Sequence, residues 1–242
     1  MIACLQNLQV AFTGHAGTAM RAAGAELDER RLREGDPLPD LGAVDGIVAF
    51  GGESSVRDIE RIAALSAEAD LLREAVERGV PVLGVCLGAQ LLAHALGGSV
   101  GRLDRRMIAW APLEPLPAAA ADPLLGAAPE GAAALHWNED GFEPPPGAVE
   151  LLARPGPTAE AFRFGDGAWG VQFHAEVDQP ALDRWYADWG EQVLPDAGVT
   201  EAGARAADAR HMPGQRALSD ALFGGFARVV AERAAAGRRA AA

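Results

Sequence analysis

The chain has 242 residues and is 49% apolar, enough to bury a sizeable core in one large domain, or in one domain with a small appendage. Its formal net charge of −13 repels nucleic-acid phosphate, so a tRNA or DNA partner is disfavoured. It has no lysine, which excludes a P-loop lysine and Schiff-base chemistry, and its two cysteines, Cys4 and Cys86, argue against a disulfide scaffold or a thiolate zinc site.

The first segment, Met1-Ile2-Ala3-Cys4-Leu5, lacks the basic region and cleavage site of a secretory signal. No run of about 18 apolar residues occurs, so no membrane contact is expected, and the expected location is cytoplasmic. Cys4 falls in this apolar segment and reads as a structural thiol. Gly46-Ile47-Val48-Ala49-Phe50 is a short apolar run that ends at Gly51-Gly52, a buried strand followed by a tight turn. Residues 67–78 place Leu71, Leu72, Ala75 and Val76 on one face with Glu and Arg elsewhere, an amphipathic helix closed by Gly79. Val80-Pro81-Val82-Leu83-Gly84-Val85 is apolar throughout, as a strand buried on both faces should be. Leu87 to Leu96 reads as a helix stopped by Gly97-Gly98.

Residues 112–157, rich in Pro, Ala and Gly, read as loops with short strands. Residues 169–173 form a further strand. From Glu191 onward the texture changes to Ala, Gly and charge, and Leu218, Leu222, Phe226, Val229 and Val230 share a helical face suited to packing on the core. The order predicts an open α/β fold, a mostly parallel sheet with helices on both faces in a flavodoxin-like three-layer arrangement. That domain is expected over residues 1–190, with a helical C-terminal extension over 191–242.

The chemistry concentrates in Gly84-Val85-Cys86-Leu87-Gly88-Ala89-Gln90. A strand runs directly into a helix with a nucleophile-type residue at the junction and glycines two before and two after, the pattern of a nucleophile elbow. Such a turn lifts the sulfur clear of the sheet and sets it at a helix N-terminus, where the dipole and free amides favour the thiolate. A free cysteine is more often a small buried hydrophobe, and the rest of the chain weighs against that reading. Phe173-His174-Ala175-Glu176 ends a strand with His and Glu two apart, which places both side chains on one side of an extended segment. His174 suits a base and Glu176 its orienting partner, the arrangement a thiol nucleophile requires.

With these residues the chain resembles the class I glutamine amidotransferases, whose pattern is close to G-V-C-x-G-x-Q followed by F-H-P-E. Within that family it is most similar to the stand-alone GMP synthase-like domains, which carry a W-H-x-D-x-F segment. Here that segment is Trp137-Asn138-Glu139-Asp140-Gly141-Phe142. The resemblance covers about residues 40–190. It implies that Cys86 attacks the side-chain amide of glutamine, that His174 takes and returns the proton, and that Glu176 orients His174. It further implies that the amides of Gly52 and Leu87 form the oxyanion hole. Gln90, Gly88, Trp137 and Asn138 would border the substrate. It implies no cofactor and no metal, a small-molecule substrate, and an ammonia acceptor that a synthetase partner could supply.

Three positions depart from the family pattern. Ala175 replaces a proline that would hold His174 extended, Glu53 follows the glycine pair where proline is common, and Ala109 precedes Trp110 in place of glycine. Two alternatives therefore stand beside a glutaminase. One is a γ-glutamyl hydrolase or transferase acting on a γ-glutamyl conjugate, motivated by Glu53 and Asn138. The other is a non-catalytic binding module on the same fold. His15, His94 and His211 have no metal-ligand spacing among themselves.

Overall fold

The computed structural model describes residues 1–8, 12–153 and 158–240. Among the described residues nine strands occur in chain order: β1 (Ile2–Asn7), β2 (Leu27–Arg31), β3 (Gly46–Gly52), β4 (Val82–Val85), β5 (Ser99–Pro112), β6 (Ala133–Glu143), β7 (Val149–Glu150), β8 (Ala161–Phe164) and β9 (Ala168–Val171). The described residues also form six α-helices, three interspersed among the first five strands and three after the last: α1 (Gly14–Ala22), α2 (Ala63–Glu77), α3 (Leu87–Ala95), α4 (Gln179–Trp185), α5 (Glu191–Ala197) and α6 (Glu201–Ala240).

Seven strands form one sheet in the order β2-β1-β3-β4-β9-β8-β7. The pairs from β2 to β9 are parallel, and β8 and β7 add an antiparallel margin. The fold is thus α/β with a mostly parallel sheet, as the alternation of apolar runs and amphipathic segments predicts. Side chains on a strand alternate between faces, and the central strands are apolar on both. Ile2, Cys4, Val48, Phe50, Leu83 and Val85 meet α1 and α6 on one face. Ala3, Leu5, Ile47, Ala49 and Val82 meet α2 and α3 on the other. Cys4 is fully buried in the first of these layers, and burial pushes its thiol far above its usual range.

Three expectations need correction. The segment 112–157, read as loops with short strands, contains the long strand β6, which pairs antiparallel with β5 in a separate two-stranded sheet. β6 buries the polar residues His136, Asn138 and Asp140, so it lacks the apolar alternation that announces a strand. Second, α2 begins at Ala63, and its buried face is Leu65, Glu68, Ala69, Leu72 and Ala75. Leu71 and Val76 are only half-buried. Third, β9 stops at Val171 before His174. Gly79 does close α2, at φ 74°.

Leu218, Leu222, Phe223, Phe226 and Val230 of α6 lie in the same core layer as the sheet. A third cluster, built from the hairpin, α4 and α5, includes Ile108, Leu135, Leu182, Trp185 and Tyr186. It stands beyond the carboxyl ends of the strands, where open α/β sheets place their ligand sites. Among the described residues no helix is long and apolar enough to cross a membrane.

Candidate active site

Cys86 occupies the corner between β4 and α3 at φ 50°, ψ −108°. Among the described residues it is the one non-glycine residue with positive φ. Such a backbone costs about 1–3 kcal/mol and persists only when its surroundings enforce it. Here the Cys86 N–H donates to the Val171 carbonyl at 2.8 Å, and the Cys86 carbonyl accepts from the Gln90 N–H at 3.0 Å. The flanking glycines give the helix its clearance. A Cβ on Gly84 would stand 2.6 Å from the Ala89 nitrogen, and one on Gly88 would stand 2.5 Å from the Ala49 carbonyl carbon. Leu87 is the first residue of α3, so its N–H is among those a helix leaves without an internal partner.

His174 is fixed from outside the strand that leads to it. Its N–H donates to the Leu135 carbonyl of β6 at 2.8 Å. Its Nδ1 faces Glu176 Oε1 at 2.6 Å, with both side chains buried. Its other nitrogen, Nε2, is buried without a hydrogen-bond partner. A Cβ on Gly51 would lie 3.0 Å from His174 Cε1 and 3.5 Å from Cys86 Cβ. The bare glycine therefore leaves ring and thiol facing each other across a gap that any side chain would fill. Burial alone would push the imidazole toward its neutral form. The Glu176 charge and then the nearby Cys86 sulfur outweigh that, and the His174 pKa is held up at about 10.

Cys86, His174, Gly51, Gly52, Leu87 and Gln90 line a cavity of about 360 Å³. Gly52 ends β3 opposite Asn7, where the β1–β3 register shifts, and a Cβ on it would lie 2.6 Å from Asn7 Cβ. Gln90 Nε2 donates to the Asp140 carbonyl and to Gln172 Oε1, each at 3.1 Å. The hairpin forms one wall through Trp137, Asn138, Glu139 and Asp140, and Trp185 and Trp189 form another. Asn138 Nδ2 donates to the Asp140 carbonyl at 2.9 Å, while its Oδ1 is buried without a partner. Asp140 anchors this wall to the β3–α2 connection by accepting from Ser55 and from Arg57, the latter at 3.1 Å. Glu53 borders the cavity with Arg33 at 3.8 Å.

The structure thus brings together Cys86, His174, Glu176, Gly52, Leu87, Gln90, Trp137 and Asn138. Gly88 is the exception. It lies beneath the site with its backbone against Ala49, where only a residue lacking a side chain fits, and it does not border the cavity. Sequence reasoning missed Arg106, Trp185 and Trp189, which do border it. None belongs to the cysteine or histidine motif, and the paired tryptophans four residues apart were their one visible signal. Among the described residues no cluster of His, Cys, Asp and Glu is arranged to hold a metal ion.

The family model for glutamine amidotransferase class-I matches residues 18–187. GMP synthase (glutamine-hydrolyzing) of Thermomicrobium roseum is 32% identical over 170 residues, which are 65% of this chain and 30% of that protein. A separate subunit of GMP synthase (glutamine-hydrolyzing) from Natronomonas pharaonis is 33% identical over 168 residues, 69% of this chain and 83% of its own. The chain therefore spans under a third of the full-length relative and most of the separate subunit. A solved glutamine amidotransferase from Methylobacillus flagellatus superposes with a TM-score of 0.81 at 26% identity, covering 94% of each chain. One from Thermotoga maritima gives 0.82 at 23% identity, covering 95% of this chain and 97% of that one, a likeness of fold.

Proposed function

The chain belongs to the class I glutamine amidotransferase family, and within it we propose that the protein hydrolyses the side-chain amide of glutamine through a thioester on Cys86. The observation that carries this reading is the buried His174–Glu176 pair at 2.6 Å, with the second ring nitrogen free and the thiol of a strained strand-to-helix corner beside it.

The reaction follows from the charges. The Cys86 sulfur attacks the amide carbon, and the proton held on His174 passes to the departing nitrogen as ammonia. The oxyanion forms beside the amides of Gly52 and Leu87, where losing one donor typically costs about 10²–10³ in rate. Once the sulfur is acylated, its pull on the His174 proton disappears. The ring's proton affinity falls, and it can take a proton from the water that attacks the thioester. Glutamate then leaves and the thiol is restored. Ammonia passes to an acceptor, which a synthetase partner would bind, as the name of the Natronomonas pharaonis subunit implies for that protein.

The test is ammonia release from glutamine by the wild-type protein and by Cys86→Ala. Release by the wild type that is abolished in the variant is expected, and release that survives the substitution overturns the mechanism.

A second reading keeps the same chemistry with a γ-glutamyl conjugate as acyl donor. What supports it is the aromatic surface that Trp137, Trp185 and Trp189 add to the cavity lining, which free glutamine does not need. Turnover of a panel of γ-glutamyl amines, set against glutamine, decides between them. Robust glutamine hydrolysis with no turnover of any conjugate eliminates this alternative.

A further inference from the structure

The segment that carries His174 and Glu176 is buried, yet it lies beyond the end of β9 and outside any regular strand. Its main-chain groups need partners from elsewhere, because a buried carbonyl left unpaired costs about 1–3 kcal/mol. Leu135 of β6 accepts from the His174 N–H, and His15 of α1 donates to the Glu176 carbonyl at 2.8 Å. The carbonyls on either side, of His174 and Val177, are both met by Gln215. This side chain of α6 is fully buried, and its Nε2 stands 2.6 Å from the His174 carbonyl and 3.4 Å from that of Val177. Two acceptors face it, so the nitrogen end of the amide must be the end that meets them.

We propose that Gln215 is a positioning residue for the base, bracketing residues 174–177 so that the His174 ring is held toward Cys86. The proposal rests on the reading of His174 as the base. It assigns to α6 a part in catalysis, although residue 215 lies beyond the segment matched by the family model. A second contact of the same helix acts in the same sense. Asp208 accepts from Trp110 Nε1 and from the Tyr186 hydroxyl, each at 2.8 Å, and Tyr186 adjoins Trp185, whose ring packs on His174. The backbone of the base is thus gripped by Gln215, and its ring is backed by a side chain whose neighbour Asp208 holds.

The test uses Gln215→Met, which keeps length and burial but removes both donors, and Gln215→Asn, which keeps the amide but cannot reach. Each is measured well below its melting temperature. The rate of Cys86 alkylation by iodoacetamide is followed against pH beside glutamine turnover. A misplacement of about 1 Å costs on the order of 10²-fold, so kcat should fall by about 10- to 100-fold with KM within about twofold. The alkylation profile should move toward that of His174→Ala. A folded variant with kcat within about twofold of wild type and an unchanged profile overturns the proposal. So does failure of both variants to fold, because Gln215 is then scaffold alone. The control separates the two readings. If His174→Ala leaves the wild-type alkylation profile unchanged, the reading of His174 as base has failed, and Gln215 has nothing to position.

Discussion

His174 and Trp185 meet edge to face, with ring centroids 4.9 Å apart and planes at 83°. Trp185 also stands against Trp137 of the opposite wall at 5.5 Å, so one indole links His174 to the hairpin. Edge-to-face pairs contribute about 0.5–1.5 kcal/mol beyond their area, and here that energy fixes a ring that must swing neither toward nor away from the thiol. Trp185→Ala should lower kcat by at least about tenfold, while Trp185→Phe, which keeps an aromatic edge, should retain most of it. Steady-state kinetics on the two variants at matched folded concentration check this, and equal losses in both would contradict it.

The raised proton affinity of His174 comes from Glu176 and from Cys86 acting against burial. Removing either source must therefore lower the pKa from about 10. Histidine resonances followed by NMR against pH should show the His174 transition at lower pH in Glu176→Gln and in Cys86→Ala than in wild type. An unmoved transition in Cys86→Ala would mean that ring and sulfur are uncoupled.

Glu68 is buried on α2, and Asn7 Nδ2 lies 3.0 Å from each of its oxygens. Burial raises its pKa from 4.5 to about 7, against the lowering effect of Asn7. The folded protein therefore binds a proton more tightly than the unfolded chain does. The associated stability is fully present below about pH 4.5 and is lost as pH rises through about 7. Glu68→Gln cannot titrate, so its stability should be flatter between about pH 5 and 8, and it should exceed wild type at the alkaline end. Chemical denaturation at several pH values measures the difference. A wild-type curve parallel to that of the variant would remove Glu68 as the cause.

Gly88 packs its α-carbon on the backbone of Ala49. Gly88→Ala forces α3 off β3, and with it the N-terminal amide of Leu87. A loss of more than about 4 kcal/mol is expected, the range of severe overpacking, and little folded protein should be recovered. Circular dichroism and thermal melting report the outcome, and a wild-type melting temperature would show that the helix can move without cost.

Local signals were the legible ones. The elbow at Cys86 and the His174–Glu176 spacing are short-range patterns. Each can be read within one short stretch of chain, and the apolar runs at 46–50 and 80–85 announced buried parallel strands in the same way. The β5–β6 hairpin escaped because its polar residues are satisfied by distant partners: Asp140 by Arg57, and His136 by Glu160 at 2.6 Å. Glu68 looked like a solvent-facing residue of α2 because only the folded chain brings Asn7 to it. Gln215 is separated from His174 by 41 positions. No periodicity encodes a contact made by one helix side chain to a distant carbonyl.

The positive φ of Cys86 has one more consequence. Its dihedral pair is the mirror image of an ordinary extended conformation, a region that glycine enters freely and other residues resist. Cys86→Gly should therefore melt above the wild type while losing all turnover. At this one residue a search for thermal robustness and a search for function pull in opposite directions. Selection for heat resistance alone would erase the proposed nucleophile first.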